Sequence, residues 1–262
     1  MPKHSRRKAG LPPGSVIYLG DRKVEKVVVH SLRYNAEAVE EKQLDNNEQL
    51  TIKEVTPERV LWYDFRGVHD TKLVEKVGQT FQIHPLVLED ITDTEQRPKF
   101  EEYSNGNFFI GRAIRYDDQH KEIQAEQVAL FFGKGYVLSL QEEPEDLFVK
   151  VRERIVNGRG KIRMRGADYL AYALCDYLVD LYFLALEDLE KDIEALEEQI
   201  LSRPKDDDRN TIHELRQEVM TLRKTIVPIR EAVCLFSRAD NEFITKSTKL
   251  FLRDLYDHTV QV

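Results

Sequence analysis

The second half of the chain carries an apolar repeat that only long helices satisfy. From Ala167 onward, apolar side chains recur every three or four residues, which places them along one face of an α-helix. The first repeat consists of Leu186, Leu189, Ile193, Leu196 and Ile200. The second repeat consists of Ile212, Leu215, Val219, Leu222, Ile226, Ile229, Val233 and Phe236. Seams of this length predict two long helices, because each apolar face must be buried against another element.

A polar connector, SRPKDDDRN, separates the two repeats. It contains Pro204 and three consecutive aspartates, a composition that ends helices. Thr211 and Glu214 then have the spacing of a capping box, which predicts the start of the second helix. The simplest arrangement is an antiparallel helical hairpin over residues 167–240.

Two further features belong to this helical half. Pro228 lies inside the second repeat and predicts a bend in the second helix. Residues 241–262 are compatible with another helix, which reaches Val262 without a Gly, Pro or basic stop signal. We therefore expect that the chain is a segment of a longer protein and that the segment ends within a longer helix.

The first half of the chain has the pattern of strands interrupted by helices. Strands are predicted at GSVIYLG (14–20), VVVHSL (27–32), QLTIKEV (49–55) and RVLWYDF (59–65). Helices are predicted at DTKLVEKVGQTF (70–81), in the segment that begins HPLVLEDI (84–91), and at PEDLFVKVRERIV (144–156). The turn sequences SNGN, DDQHK and GKG separate three or four further strands, which is typical of antiparallel hairpins. The pattern indicates an α/β or α+β layered domain over residues 14–166.

Composition bounds the class of protein. With 41% hydrophobic and 33% charged residues and a mean hydropathy of −0.51, the 262-residue chain has the composition of a soluble globular protein. It has no run of 18 apolar residues, so we expect no membrane span within it. Residues 1–13 are basic, lack the apolar core of a secretory signal, and are expected to form a flexible tail. The two cysteines, Cys175 and Cys234, lie in apolar helical patterns and lack metal-ligand spacing, so we expect neither a disulfide nor a metal site at them.

The net charge of −8 is concentrated in one segment. Residues 168–208 carry 13 Asp and Glu but only three Lys and Arg. This balance disfavours nucleic acid as a partner and favours cations or basic partners. A solvated helix face is the simpler explanation of such a run of charge.

Catalysis has little support in the sequence. The chain contains no P-loop, no G-x-G-x-x-G, no H-E-x-x-H and no G-x-S-x-G motif. Its seven histidines are scattered, and no two of them have metal-chelating spacing. We therefore expect that the protein is not an enzyme.

Acidic residues at unusual places point instead to a hard cation. The segment HPLVLEDITDTEQRPKFEEY (84–103) passes from apolar residues directly to Glu89 and Asp90. Asp176 and Asp180 lie one helical turn apart in an otherwise apolar stretch, where an unpaired carboxylate is costly to bury. Carboxylate oxygens suit Mg²⁺, which uses only one or two of them and retains its waters. Pairing with arginines, or simple exposure, are the alternative explanations.

Two more acids lie near the C-terminal end. Asp254 and Asp257, in RDLYDH, are separated by three residues and share one face of the predicted helix. Taken alone, they have the pattern of ordinary surface residues.

A series of segments resembles one known family. In order along the chain they are HPLVLEDI, QRPK, EQV, VRERI, GADYLAYAL, LRKTIVPIRE and FLRDLYDHT. This series resembles the cytoplasmic portion of the CorA family of Mg²⁺ and Co²⁺ channels, over roughly residues 45–262. The resemblance implies an α/β/α sandwich with a mixed, largely antiparallel sheet (14–166), an antiparallel hairpin of long helices (167–240) and the start of a stalk helix (241–262).

The resemblance also implies a function and its site residues. Family members are homopentamers at the cytoplasmic face of the inner membrane, where Mg²⁺ bound between subunits stabilises the closed state. Asp90 and Asp254 correspond to the first regulatory metal site, and Glu89 and Asp176 to a second, weaker one. Mg²⁺ is the expected ion, with Co²⁺ or Ca²⁺ as substitutes.

Three candidates have less support, namely Asp180, Asp257 and His258.

The chain departs from the family pattern in one major respect. It contains neither the Gly-Met-Asn signature nor the two membrane helices, so we expect a soluble fragment that does not itself conduct ions. Because the pore is absent, a zinc-transporting relative of the same architecture is an alternative. A helical-hairpin protein-interaction module with incidental metal binding is the alternative from another class.

Overall fold

The structure is a computed structural model, and it describes residues 10–44, 50–52, 59–205 and 207–262. Most of the expected N-terminal tail lies outside the described residues, as does most of the strand predicted at 49–55. One residue of the connector between the two long helices, at position 206, also lies outside them.

The described residues form a seven-stranded sheet with the strand order β2-β1-β3-β7-β6-β5-β4. The strands are β1 (Val28–Tyr34), β2 (Val39–Leu44), β3 (Val60–Arg66), β4 (Lys99–Tyr103), β5 (Gly106–Asp117), β6 (Glu122–Gly133) and β7 (Tyr136–Gln141). Among these strands β3 and β7 pair in parallel, and every other adjacent pair is antiparallel. The expected mixed, largely antiparallel sheet is confirmed.

The helices lie on both faces of this sheet. They are α1 (Thr71–Phe81), α2 (Pro85–Thr92), α3 (Val149–Val156), α4 (Ala167–Ser202), α5 (Asp208–Arg238) and α6 (Lys246–Gln261), with a short 3₁₀ helix at Ile162–Met164. The α/β/α arrangement inferred from the resemblance is therefore confirmed, as are the long-helix hairpin and the helix that follows it.

The hairpins between strands follow from local turn chemistry. Gly133 pairs with Tyr136 across β6 and β7, which leaves a two-residue loop. In that loop Gly135 has a φ of 81°, a left-handed conformation that glycine adopts without steric cost. The three turn sequences SNGN, DDQHK and GKG each join antiparallel neighbours, as predicted.

One strand prediction is wrong, and one strand of the structure was not predicted. Residues 14–20, predicted as a strand, form irregular structure, because their backbone bonds to α2 instead of to the sheet: Leu19 N donates to Thr92 O at 2.9 Å. Conversely, β2 was not predicted. Its sequence VEEKQL is charged and mostly exposed, which an edge strand tolerates because it pairs on one side only.

Helix boundaries differ from the predictions at two places. The capping-box prediction is wrong, because α5 already begins at Asp208 and Thr211 lies within its first turn. The Asp208 carboxylate accepts hydrogen bonds from Lys205 N and Gln199 Nε2, both at 2.7 Å, and so links the end of α4 to the start of α5. Similarly, α3 begins at Val149, five residues after the predicted start.

The two faces of the sheet bury separate cores. Alternate residues of a strand point to opposite faces, so in β5 Phe108 enters one core and Phe109 enters the other. On the first face α1 and α2 bury, for example, Val77 and Val87. On the second face pack α3, the first half of α4, the end of α5, and α6. Phe236 of α5 is fully buried there, with its ring 4.9 Å from that of Phe100.

The first half of α4 is part of the sheet core, with buried residues that extend to Leu189. By length and composition α4 is apolar enough to cross a membrane, but 61% of its most apolar window is buried inside the protein. This burial is typical of a core helix. The division of the chain at residues 166 and 240 stays a prediction, as does a bend at Pro228, which lies within the continuous helix α5. Cys175 and Cys234 are free thiols.

Candidate metal centres

Helix α2 positions Glu89 and Asp90 at the surface of the first face. Pro85 stands at the first helical position, and His84 Nδ1 caps the helix by accepting a hydrogen bond from Leu86 N at 3.2 Å. The buried side is formed by Val87, Leu88, Ile91 and Thr92. This side anchors the helix to the sheet and leaves both carboxylates half-buried at its edge.

Glu89 holds the N-terminal segment against α2. Its Oε2 atom accepts a hydrogen bond from Gly14 N at 2.6 Å. Gly14 has a φ of +83°, and a Cβ atom there would lie 2.8 Å from Pro85 Cβ, so glycine fits this close approach. One oxygen of this predicted metal ligand therefore has a structural role within the chain.

Asp90 already binds a cation, the ammonium group of Lys99. Lys99 Nζ lies 2.7 Å from Asp90 Oδ2 and 2.9 Å from Glu101 Oε1, and the Asp90 side chain is only 14% exposed. Burial lowers the pKa of Lys99, but the hydrogen bonds and charges of Asp90 and Glu101 outweigh burial and raise it above the ordinary value. The donor set at Asp90 therefore fits a cation, and Lys99 is its occupant in this chain.

Asp176 lies on the opposite face, in α4, where it is half-buried. Burial and the neighbouring charge of Asp180 raise the pKa of Asp176 to about 6, although Arg154, His258 and a hydrogen bond with Tyr172 act in the other direction. Partial desolvation raises the pKa of Asp180 as well. Two carboxylates are thus held close together, compensated in part by positive neighbours.

Asp254 completes this second surface from α6. The start of α6 is fixed to the start of α4, because Asp168 Oδ2 accepts hydrogen bonds from Thr245 N at 2.8 Å and Thr245 Oγ1 at 2.7 Å. Asp254 itself is 67% exposed and lies 3.9 Å from His258 Nε2. Burial is the largest cause of the raised pKa of Tyr172, and the negative charges of Asp176 and Asp254 raise this pKa further.

The structure therefore groups the predicted residues into two surfaces. Asp176 and Asp254 lie near Tyr172, and Asp180 and His258 lie near Asp176, while Asp257 is exposed further along α6. Glu89 and Asp90 lie across the sheet from them, since α2 packs on one core and α4 and α6 on the other. Within residues 10–44, 50–52, 59–205 and 207–262, no three His, Cys, Asp or Glu form a group suited to a metal ion.

Sequence reasoning missed the basic partners of these acids. Lys99 and Glu101 are separated by two residues on β4 and so share one face of the strand, a signal that the sequence does contain. Arg154, which lies near Asp176 and Asp180, is brought there by the packing of α3 against α4. No local pattern reports that contact.

A family model described as "CorA-like Mg2+ transporter protein" matches residues 57–262. The chain belongs to the CorA family. Its resemblance to CorA, inferred above from the ordered segments, is thereby confirmed. The family is described as one of transporters.

Individual CorA relatives agree with this assignment. The chain is 41% identical over 262 residues to the cobalt/magnesium transport protein CorA of Thermotoga maritima. This match covers 99% of this chain and 74% of that protein. A Bacillus subtilis relative is 29% identical over 215 residues, which are 81% of this chain and 66% of the relative. The chain thus spans only part of the length of these relatives.

Solved structures show the same fold. The soluble domain of CorA from Methanocaldococcus jannaschii has a TM-score of 0.72 at 18% identity and covers 91% of this chain and 90% of that domain. The full-length CmaX protein has a TM-score of 0.75 at 16% identity, with 92% of this chain and 72% of that protein covered. At these identities the likeness concerns the fold alone.

Proposed function

We propose that this chain is the cytoplasmic regulatory part of a Mg²⁺ and Co²⁺ transporter, and that it senses intracellular Mg²⁺. The 41% identity over 262 residues to the Thermotoga maritima protein named for cobalt and magnesium transport carries this proposal. The same observation favours magnesium and cobalt over the zinc-transporting alternative. Likeness to the ZntB cytoplasmic domain from Vibrio parahaemolyticus, at 13% identity, concerns fold only.

The metal is proposed to bind between subunits. Asp90 and Asp254 lie on opposite faces of the sheet, so the two carboxylates of one chain do not meet at one ion. In a closed ring of identical subunits, however, one face of each copy meets another face of its neighbour. Asp90 of one copy and Asp254 of the next would then share a Mg²⁺ ion, which keeps most of its waters.

Glu89 and Asp176 have the same relationship and form the proposed second site. They too lie on opposite faces, in α2 and α4. Each is half-buried and therefore still reachable by an ion at a subunit contact. Because Glu89 also bonds to Gly14, it has less freedom to turn toward a metal, which is consistent with the weaker of the two sites.

Regulation follows from charge. Carboxylates that face each other across a contact repel, and a divalent cation between them offsets that repulsion. The metal favours the closed arrangement only because it binds that arrangement more tightly than the open one. Loss of Mg²⁺ restores the repulsion and loosens the assembly, with a coupling of ~1–3 kcal/mol for each site.

The first test uses the 262-residue chain. At constant ionic strength, Mg²⁺ should raise both the thermal midpoint and the mass measured by light scattering, and Asp90→Asn or Asp254→Asn should abolish both effects. Asp188→Asn, which alters a carboxylate paired only locally with Lys191, is the matched control and should retain them. An effect of Mg²⁺ that NaCl of equal ionic strength reproduces would show generic screening and contradict the proposal.

A mixing experiment tests whether the site is shared. Chains with Asp90→Asn and chains with Asp254→Asn each lack one half of the proposed site. When they are mixed, contacts that join the intact halves should restore part of the Mg²⁺ response. If the mixture responds no better than either variant alone, the two residues do not serve one intersubunit site.

The regulatory step is tested in the full-length transporter. The combination of Asp90→Ala and Asp254→Ala should weaken inhibition of ion flux by intracellular Mg²⁺, because the metal no longer stabilises the closed state. Unchanged inhibition would refute the regulatory role.

A further inference from the structure

The ammonium group of Lys99 lies between the carboxylates of Asp90 and Glu101. Its Nζ atom lies 2.7 Å from Asp90 Oδ2 and 2.9 Å from Glu101 Oε1, distances of charge-assisted hydrogen bonds. The side chain is 29% exposed, so this position is shielded from much of the solvent but remains open to exchange.

Neighbouring residues position the Glu101 carboxylate and the Asp90 backbone independently of Lys99. Tyr103 donates its hydroxyl hydrogen to Glu101 Oε2 at 2.7 Å, which orients the Glu101 carboxylate. Asp90 is fixed through its backbone, because Gln127 Nε2 donates to Asp90 O at 3.1 Å. The Phe108 ring, 5.9 Å from Lys99 Nζ, forms the apolar floor of this position. Asp90 and Glu101 therefore form a cation-binding position that neighbouring residues support. We call this position, between Asp90 Oδ2 and Glu101 Oε1, the seat.

We propose that Lys99 is a tethered competitor of the divalent cation, which must leave the seat between Asp90 and Glu101 before a metal binds there. This inference rests on the proposed metal binding at Asp90 and adds Glu101 as a second carboxylate from the same chain. Lysine suits such a role, since its charge is compact and its four-carbon stem is flexible.

Charge explains why the two cations exclude each other. With Lys99 in place, one ammonium partly balances two carboxylates and the seat has one residual negative charge. A divalent ion and the ammonium cannot occupy the same position between Asp90 Oδ2 and Glu101 Oε1, and two cations placed side by side in a partly buried position repel each other. Lys99 therefore raises the Mg²⁺ concentration at which the metal site fills, and keeps the two acids from repelling each other when Mg²⁺ is scarce.

The test compares Lys99 variants in thermal titrations of the 262-residue chain with Mg²⁺ at constant ionic strength. Lys99→Met should lower the thermal midpoint without metal and lower the half-saturating Mg²⁺ concentration about tenfold, the change expected for removal of a competing partly buried ion pair. Lys99→Arg, which keeps the positive charge, should stay close to the native value.

Lys23→Met is the matched control. Lys23 is also partly exposed, at 33%, and also lies between two carboxylates, 3.2 Å from Glu143 and 3.8 Å from Glu142. Because the carboxylates that Lys23 contacts are not those that Lys99 contacts, Lys23→Met should leave the half-saturating Mg²⁺ concentration unchanged. An equal decrease in both variants would mean that lost positive charge acts at long range, and would overturn the competitor role.

Asp90→Asn separates failure of this inference from failure of the proposed function. If Asp90→Asn abolishes the Mg²⁺ response while Lys99→Met leaves the half-saturating concentration unchanged or higher, the competitor role is overturned and metal binding at Asp90 stands. If no Asp90-dependent response is found in either the native chain or Lys99→Met, both are overturned.

A second measurement follows Lys99 itself in the native chain. Brief acetylation followed by mass spectrometry reports how accessible each lysine amine is. Mg²⁺ should increase the labelling of Lys99, because the ammonium is released from its two carboxylates, and leave Lys23 unchanged. Labelling of Lys99 that is unchanged or reduced by Mg²⁺ would overturn the proposal.

Discussion

Glu126 is a buried carboxyl group whose ionisation opposes folding. It lies in β6 and is 3% exposed. Its Oε2 atom accepts backbone hydrogen bonds from Glu142 N at 3.2 Å and Glu143 N at 3.0 Å. Burial and the charge of Glu143 raise the pKa of Glu126 to about 7, against the smaller opposite effects of the Glu143 backbone hydrogen bond, Arg115 and Lys23.

The sign and size of the effect on stability follow from linkage. The ordinary pKa of this group is 4.5, so between pH 4.5 and about 7 the folded chain binds more protons at Glu126 than the unfolded chain does. Its contribution to the free energy of unfolding is therefore fully present below pH 4.5 and is lost as the pH rises through about 7. The difference between the two pKa values corresponds to about 3 kcal/mol.

Glu126→Gln removes this ionisation while keeping an oxygen acceptor for the two backbone donors. Urea unfolding at pH 5 and pH 8 gives the free energy of unfolding of both proteins. From pH 5 to pH 8, the variant should gain about 2–3 kcal/mol of stability relative to the native chain. Glu142, whose pKa burial also raises, titrates in both proteins, so its contribution largely cancels in the comparison.

Glu122→Gln is the control, since Glu122 is an exposed carboxyl at the start of the same strand. This variant should show the pH dependence of the native chain. The reasoning is refuted if Glu126→Gln and the native chain lose or gain stability in parallel over this pH range, because Glu126 then has the same pKa in the folded and unfolded states.

Two further predictions concern the cores. Phe236→Ala should lower the free energy of unfolding by about 3–5 kcal/mol, because loss of a fully buried ring leaves a cavity. Leu235→Ala, at a residue that is 54% exposed, should change the free energy of unfolding far less. Urea unfolding of both variants measures the difference. Arg152→Met should lower the free energy of unfolding by about 3–5 kcal/mol, because the guanidinium group lies 2.8 Å from the buried Asp64 carboxylate. Arg97→Met, which removes an exposed ion pair, should lower it by about 1 kcal/mol or less. Equal losses for Arg152 and Arg97 would contradict the role of burial.

Local patterns in the sequence were sufficient for the elements whose partners lie nearby. The two apolar repeats predicted α4 and α5, because a 3.6-residue period shows which side of a helix is buried. The turn sequences predicted the antiparallel run from β4 to β7, because each connects strands that are neighbours along the chain. The ordered segments predicted the family and, through it, the α/β/α architecture and the acidic residues Asp90, Asp254, Glu89 and Asp176.

Long-range contacts decided the elements that local patterns misassigned. Residues 14–20 alternate like a strand, but their backbone partners are in α2, more than 70 residues away. The charged sequence of β2 does not have the pattern of a strand, and among the described residues this strand pairs with β1 alone. Alternation describes burial of side chains and does not identify the partner of a backbone group.

The sequence by itself determined that this is a CorA-family chain with long helices, antiparallel hairpins and acids at particular positions. Only the tertiary structure placed Asp90 and Asp254 on opposite faces of one sheet, and only it set the Lys99 ammonium against Asp90. The physical reason is that a residue's chemistry is encoded locally, whereas its neighbours depend on the packing of elements distant in sequence. Ion pairing and burial, which set the availability of each carboxylate for a metal, are properties of that packing.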